Sequence, residues 1–163
     1  MLRTKARPVD APSETIRNLV RDMIETMYAN DGIGLAAPQI GQDLQLFVAN
    51  PSQVRGKELV LLNPVLNEAS GRASLVEGCL SLPDVWERVT RAANVRISGQ
   101  DLSGNTITIE ADGLMAIVLQ HELDHLYGRL FIDRLSWFRR RRLQLRKGGP
   151  GRKRRTLAHQ HSA

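Results

Sequence analysis

The sequence predicts an α+β fold, with antiparallel strands packed around a central buried helix. Three observations carry that prediction. Short segments of strand-like composition crowd the middle of the chain, between residues 44 and 110. After them, residues 113–126 form a segment that is apolar over most of a helical circumference, so other elements must cover it. A strongly amphipathic helix precedes the strands over 13–29. At 163 residues the chain has the length of one domain with a sizeable core.

The first helix is read from Ile16, Leu19, Val20, Met23, Ile24, Met27 and Tyr28, which recur on one helical face. Pro12 suits its start, and Asn30-Asp31-Gly32 stops it. Residues 32–41, GIGLAAPQIG, are too rich in glycine to read as helix. Short strands are expected over 44–48 and 59–62, and further ones over 85–91, 94–99 and 106–110. The last two flank a hairpin loop at 101–105, with Val95 and Ile97 alternating on one arm and Ile107 and Ile109 on the other. The second helix, 113–126, has Asp112 as its expected N-cap and Gly128 as its stop. Ser136 is expected to cap a third, basic helix over about 137–147, which Gly148-Gly149-Pro150-Gly151 would end.

Composition excludes several classes. With 42% hydrophobic and 25% charged residues the chain is not wholly disordered. No apolar run approaches the roughly 18 residues of a membrane span, so no membrane partner is expected. A single cysteine, Cys79, excludes an internal disulfide framework and suits a reducing compartment, here taken as the cytoplasm. The net charge of +6 divides unevenly. Residues 1–138 carry 13 Lys/Arg and all 17 Asp/Glu, whereas residues 139–163 carry ten Lys/Arg and no acid. The chain therefore divides into a catalytic domain, 1–138, and a basic C-terminal tail, 139–163, expected to be partly disordered. Such a tail suits a polyanionic partner, and RNA contact through 139–155 is the expectation.

The chemistry lies on the second helix, in His121-Glu122-Leu123-Asp124-His125. Histidines at i and i+4 share a helical face, so both imidazoles can reach one metal ion. Two imidazoles and two acids on an apolar helix would cost several kcal/mol, on the order of a few per group, without partners. A catalytic metal needs a third protein ligand and an open position. Cys79 is the strongest candidate, with Glu77, Asp133 or a tail histidine, His159 or His161, as alternatives. A water activated in such a site suits hydrolysis of a polarised carbonyl, most naturally an amide, with Glu122 as proton carrier. Gln39 and a backbone N–H beside Cys79 could serve the developing oxyanion. The glycine-rich loop is not a nucleotide fingerprint, since it follows a helix and lacks a Lys-Ser/Thr end.

Three segments in order resemble the signatures of the peptide deformylase family: Gly32-Ile33-Gly34-Leu35-Ala36-Ala37-Pro38-Gln39, Glu77-Gly78-Cys79-Leu80-Ser81 and Gln120-His121-Glu122-Leu123-Asp124-His125. The looser resemblance covers about residues 2–137. It implies the fold built around the helix with both histidines, and removal of the formyl group from formyl-methionine at the start of nascent polypeptides. It implies Cys79, His121 and His125 as metal ligands and Glu122 as general acid/base. Gln39 and the Leu80 amide would be oxyanion donors, and Ile33 and Gly34 the backbone edge that pairs with the peptide. Leu114, Ile117 and Val118 would line the methionine pocket. The implied metal is Fe(II), with zinc, nickel or cobalt also able to occupy the site. Two other readings compete. One is a peptidase with the same helical motif and a downstream third ligand. The other is a deformylase-like paralogue with an altered substrate or a ribosome- or RNA-binding role.

Overall fold

Helix α1, Glu14–Ala29, opens on Ser13, whose hydroxyl accepts the Ile16 N–H at 3.3 Å. It ends where Gly32 donates back to the Met27 carbonyl at 2.9 Å, closing the last turn. The chain is described here from a computed structural model over residues 2–147. Seven strands follow α1: β1 Gly34–Ala36, β2 Leu46–Ala49, β3 Leu59–Ser70, β4 Ala73–Cys79, β5 Leu82–Arg91, β6 Asn94–Gln100 and β7 Thr106–Asp112. Then come helices α2, Gly113–Leu126, and α3, Trp137–Lys147. Five strands form one antiparallel sheet in the order β1-β2-β3-β6-β7, and β4 and β5 form a separate two-stranded ribbon.

Strand periodicity explains the layering. On β2, Leu46 and Val48 point to one face of the sheet and pack with Ile16, Val20, Met23 and Met27 of α1. Phe47 and Ala49 point to the other face and pack with Ala116, Val118, Leu119 and Leu126 of α2. Both faces of β2 are therefore buried, which is why its sequence reads as an unbroken apolar run. Truncating Phe47, fully buried between these layers, would cost about 3–5 kcal/mol. A third cluster, Val85, Val89, Phe131 and Leu135 with Leu143 of α3, holds the β4–β5 ribbon against the 3₁₀ turn Phe131–Arg134 that follows α2.

Several boundaries differ from the sequence expectation. The strand expected over 44–48 lies at Leu46–Ala49. The one expected over 59–62 continues to Ser70, because pairing with β6 carries it past two register shifts, the first at the left-handed Asn63. β4 was not expected at all, and β5 begins three residues before the expected 85. The glycine-rich segment contains β1 and a 3₁₀ turn at Ala37–Ile40, which Pro38 can occupy near its first position. Asp112 is the N-cap residue of α2, as expected, although its side chain makes no cap hydrogen bond. It stays paired with Asn94 at the end of β7, and Gly113 at φ +52° turns the chain into α2. Gly128 does stop α2. It has φ +69°, and an added Cβ would lie 2.7 Å from the Arg3 carbonyl carbon. Helix α3 runs across residue 138. The tail beyond 147, with His159 and His161, lies outside the described residues. Among the described residues, no helix is long and apolar enough to cross a membrane.

Candidate active site

α2 is buried from Ala116 to Gln120 and from Glu122 to Leu126, so it delivers His121, Glu122 and His125 to the interior on a rigid element. The β4–β5 ribbon delivers Cys79 from the opposite side, at a tight turn in which Cys79 pairs with Leu82. The ligand atoms of Cys79, His121 and His125 lie within 4.8 Å of one another. Cys79 Sγ is 3.3 Å from His125 Nε2, which is 3.2 Å from His121 Nε2. Three donors around one tetrahedral ion would stand roughly 3.4 Å apart, so this cluster could hold a metal.

Glu77 is not part of that cluster. Its Oε2 meets His121 Nδ1 at 2.9 Å, and both of its oxygens accept from Arg91, at 2.6 and 2.9 Å. Arg91 also donates to Asp124 Oδ2 at 2.8 Å, and Arg134 closes the network on Asp124. Glu77 thus orients the imidazole instead of ligating, a placement the reading of Glu77 as an alternative ligand missed. Asp133 is excluded as well: it pairs with Arg3 and Arg140 and accepts the Leu130 N–H at 2.8 Å. The His121 ring further stacks on Phe131, with centroids 6.1 Å apart.

The electrostatics match this arrangement. Burial alone would raise the Cys79 thiol, but hydrogen bonds from His121 and His125 overcome it and bring the pKa down to about 5. Burial alone would lower His121, yet Cys79 and Glu77 raise it to about 10. The cluster therefore favours the thiolate of Cys79, the form that ligates a metal. Burial would raise Glu77 too, but its bonds to His121 and Arg91 keep its carboxyl below the usual range. Glu122 goes the other way: burial raises its carboxyl, and His121 and His125 only partly offset this. Its Oε2 is buried without a hydrogen-bond partner among the described residues.

Gln39 sits across from the cluster. Its Oε1 accepts the Ala36 N–H at 2.7 Å, which leaves Nε2 pointing at Cys79 Sγ and Ser81 Oγ, both at 3.4 Å. A cleft of about 550 Å³ joins these groups. Ile33, Gly34, Gln39, Cys79, Leu80, Leu114, Ile117, Val118, His121 and Glu122 all line it. His125, 1% exposed, lies behind them. Gly34 touches Glu122 so closely that a Cβ there would overlap Oε1 and lie 2.9 Å from Cδ. The residues sequence reasoning missed are Arg91, Asp124 in its paired role, Ser81 and Trp86. Asp124, within the histidine motif, and Ser81, within the segment around Cys79, carried a local signal.

Comparison with known proteins agrees. The sequence profile of the family described as polypeptide deformylase matches residues 1–141. A peptide deformylase from Thermus thermophilus is 45% identical, with a TM-score of 0.84, over 90% of this chain and 87% of that one. One from Legionella pneumophila is 39% identical, with a TM-score of 0.82, over 91% and 93% of the two chains. One from Synechococcus elongatus, in complex with actinonin, is 41% identical, with a TM-score of 0.81, over 90% and 79%. The chain belongs to the polypeptide deformylase family, metal-dependent enzymes that remove the N-formyl group from nascent peptides.

Proposed function

We propose that Cys79, His121 and His125 hold one divalent ion, Fe(II) in first place and Zn, Ni or Co as alternatives, and that Glu122 carries the protons of formyl hydrolysis. The reading is carried by three converging donor atoms, with Glu122, which has a buried, unpartnered carboxylate oxygen, lining the same cleft. A thiolate and two imidazoles suit a first-row transition metal, and the Glu77 bond fixes which His121 nitrogen is free to bind it. Bound there, the ion supplies Lewis acidity and makes water acidic near neutral pH.

The chain's own groups do the rest. Glu122 accepts a proton from the attacking water, and burial, which raises its carboxyl, favours its holding that proton for the later step. As the water oxygen bonds to the formyl carbon, charge gathers on the carbonyl oxygen. The Gln39 amide, anchored through Ala36, and the Leu80 N–H are its proposed donors. Glu122 then returns its proton to the amine nitrogen as the carbon–nitrogen bond breaks, and formate departs. Ile33 and Gly34 offer backbone for an added peptide strand. Leu114, Ile117 and Val118 offer the apolar wall for the methionine side chain.

The substrates are chains beginning with formyl-methionine, and the cytoplasm is the proposed place of action. Residues 139–155 are proposed to contact ribosomal RNA, supported by the ten uncompensated positive charges of 139–163. Unchanged ribosome co-sedimentation at low salt after their deletion would remove that part. The central test is formate release from formyl-Met-Ala-Ser by protein purified anaerobically with Fe(II). Release that disappears in Glu122→Ala supports the assignment. No release with metal bound at unit stoichiometry points to the paralogue reading.

A further inference from the structure

A second recess, of about 610 Å³, opens between the β3–β4 turn, β5 and the start of α3. The buried Arg91 ion pairs divide it from the metal cleft: Glu77 lines the cleft, whereas Arg91 and Asp124 line the recess. Formyl hydrolysis makes no use of this space.

Its charge is one-sided. Five arginines line it, Arg72, Arg88, Arg91, Arg134 and Arg139, against a single carboxylate, Asp124. Asp124 holds both Arg91 and Arg134, Glu77 also holds Arg91, and Glu87 holds Arg139. Arg72 and Arg88 are exposed and have no carboxylate partner among the described residues. A concave surface lined by one sign of charge concentrates its field on a counter-ion. Helix α3 adds to that field. It begins at the recess, with the Ser136 carbonyl accepting the Arg140 N–H at 3.0 Å, and the first turn of a helix carries free N–H groups and the positive end of its dipole. Arg139 donates to the Arg88 carbonyl at 2.9 Å, so α3 is tied to β5 and the recess is preformed. Residues 139–163 contain no acid, so the chain's own tail would add like charge to the recess instead of neutralising it.

We propose that this recess binds a doubly charged phosphate group, as inorganic phosphate or as a small phosphomonoester. Such a group carries a charge of about −1.5 to −2 at neutral pH and three strong acceptor oxygens. It matches the two uncompensated guanidiniums, each a planar fork of donors. A phosphodiester of a nucleic-acid backbone carries about one charge and is the poorer match.

The test is calorimetric titration of the metal-loaded full chain with inorganic phosphate, methyl phosphate and dimethyl phosphate, with the rise in Tm as a second readout. Inorganic phosphate should bind at a stoichiometry of one. Methyl phosphate binding equally shows that the site takes esters, and binding of inorganic phosphate alone shows that it takes the free ion. Dimethyl phosphate, with one charge, should bind at least roughly tenfold more weakly. Arg72→Gln with Arg88→Gln should weaken phosphate binding about 10- to 100-fold, the worth of charge-assisted hydrogen bonds. Both side chains are exposed and unpartnered among the described residues, so the exchange leaves the packing intact. Arg72→Lys with Arg88→Lys, which keeps the charge, should retain more affinity than the glutamine pair. Glutamine at Arg152, Lys153, Arg154 and Arg155 should leave the affinity unchanged. Phosphate binding that survives Arg72→Gln with Arg88→Gln lies at the metal or on the tail and overturns the proposal. Equal affinity for dimethyl phosphate, a lysine pair as weak as the glutamine pair, or neither heat nor a rise in Tm up to about 10 mM phosphate overturns it as well.

Discussion

Replacing Gly34 with alanine probes the placement of Glu122 without removing any reacting group. Gly34 is not in the left-handed region, so alanine fits the backbone and the effect is purely steric. The new methyl would overlap Glu122 Oε1, and would stand 2.9 Å from Cδ and 3.0 Å from Val118 Cγ1. Carbon atoms in contact sit about 3.5–4.0 Å apart, so the carboxyl must retreat by roughly 0.6–1.1 Å. β1 cannot yield instead, because Gly34 is locked opposite Ala49 in the sheet. A misplacement of about 1 Å near the reacting atoms costs on the order of 100-fold, or about 2.7 kcal/mol of barrier. Overpacking should also take about 1–3 kcal/mol from stability. The assay is kcat and KM for formate release, with metal content and urea unfolding measured on the same sample. Metal should stay stoichiometric, since Cys79, His121 and His125 are untouched, while kcat falls by about two orders of magnitude. A kcat within about threefold of the parent, less than about 1 kcal/mol, with metal bound would refute the reasoning.

Three further outcomes are expected. Glu77→Gln keeps the shape but weakens the hold on His121, and should lower metal affinity about 10- to 100-fold in a chelator competition. An unchanged affinity would show that Glu77 does not orient the ligand. Arg91→Met leaves Glu77 and Asp124 buried without their shared partner, and should cost about 3–5 kcal/mol in urea unfolding. A loss below about 1 kcal/mol would mean that the carboxylates find other partners. The third concerns acid. Burial favours protonation of Asp124, but Arg134 and Arg91 outweigh it and hold its pKa below the usual value, as Arg91 and His121 do for Glu77. Carboxyls depressed in the folded state contribute stability that is complete above their unfolded pKa, near about 4, and is lost as pH falls through the folded values. Thermal stability should therefore decline below about pH 4, and Arg91→Met should blunt that decline. Parallel curves for the two proteins would contradict the assignment.

What could be read in advance was local. Helical periodicity revealed α1, because burial on one face leaves a pattern of about 3.6 residues in the chain itself, and an apolar run over most of a helical circumference revealed α2. The spacing of His121 and His125 follows from the helix alone. Cys79 was a candidate by its chemistry, and the motif order linked it to the histidines. β4 was invisible because its apolar Leu75 and Val76 are exposed, while Glu77 is its buried residue. That strand is held by pairing with β5, which is remote information. The same holds for the entry to α2: Asp112 stands at the N-cap, but strand pairing and a left-handed glycine make the turn without a bond from its side chain.

The sequence by itself thus determined most element types, the candidate metal-binding residues and the charge asymmetry, since each rests on residue identity and short spacings. Only the tertiary structure decided that Glu77 orients instead of ligating, that Gly34 walls in Glu122, and that Trp86 stands over Gly78. Those roles depend on how the β4–β5 ribbon and β1 approach α2. That approach is set by buried packing and by the Arg91 ion pairs between segments far apart in the chain, which no local pattern records.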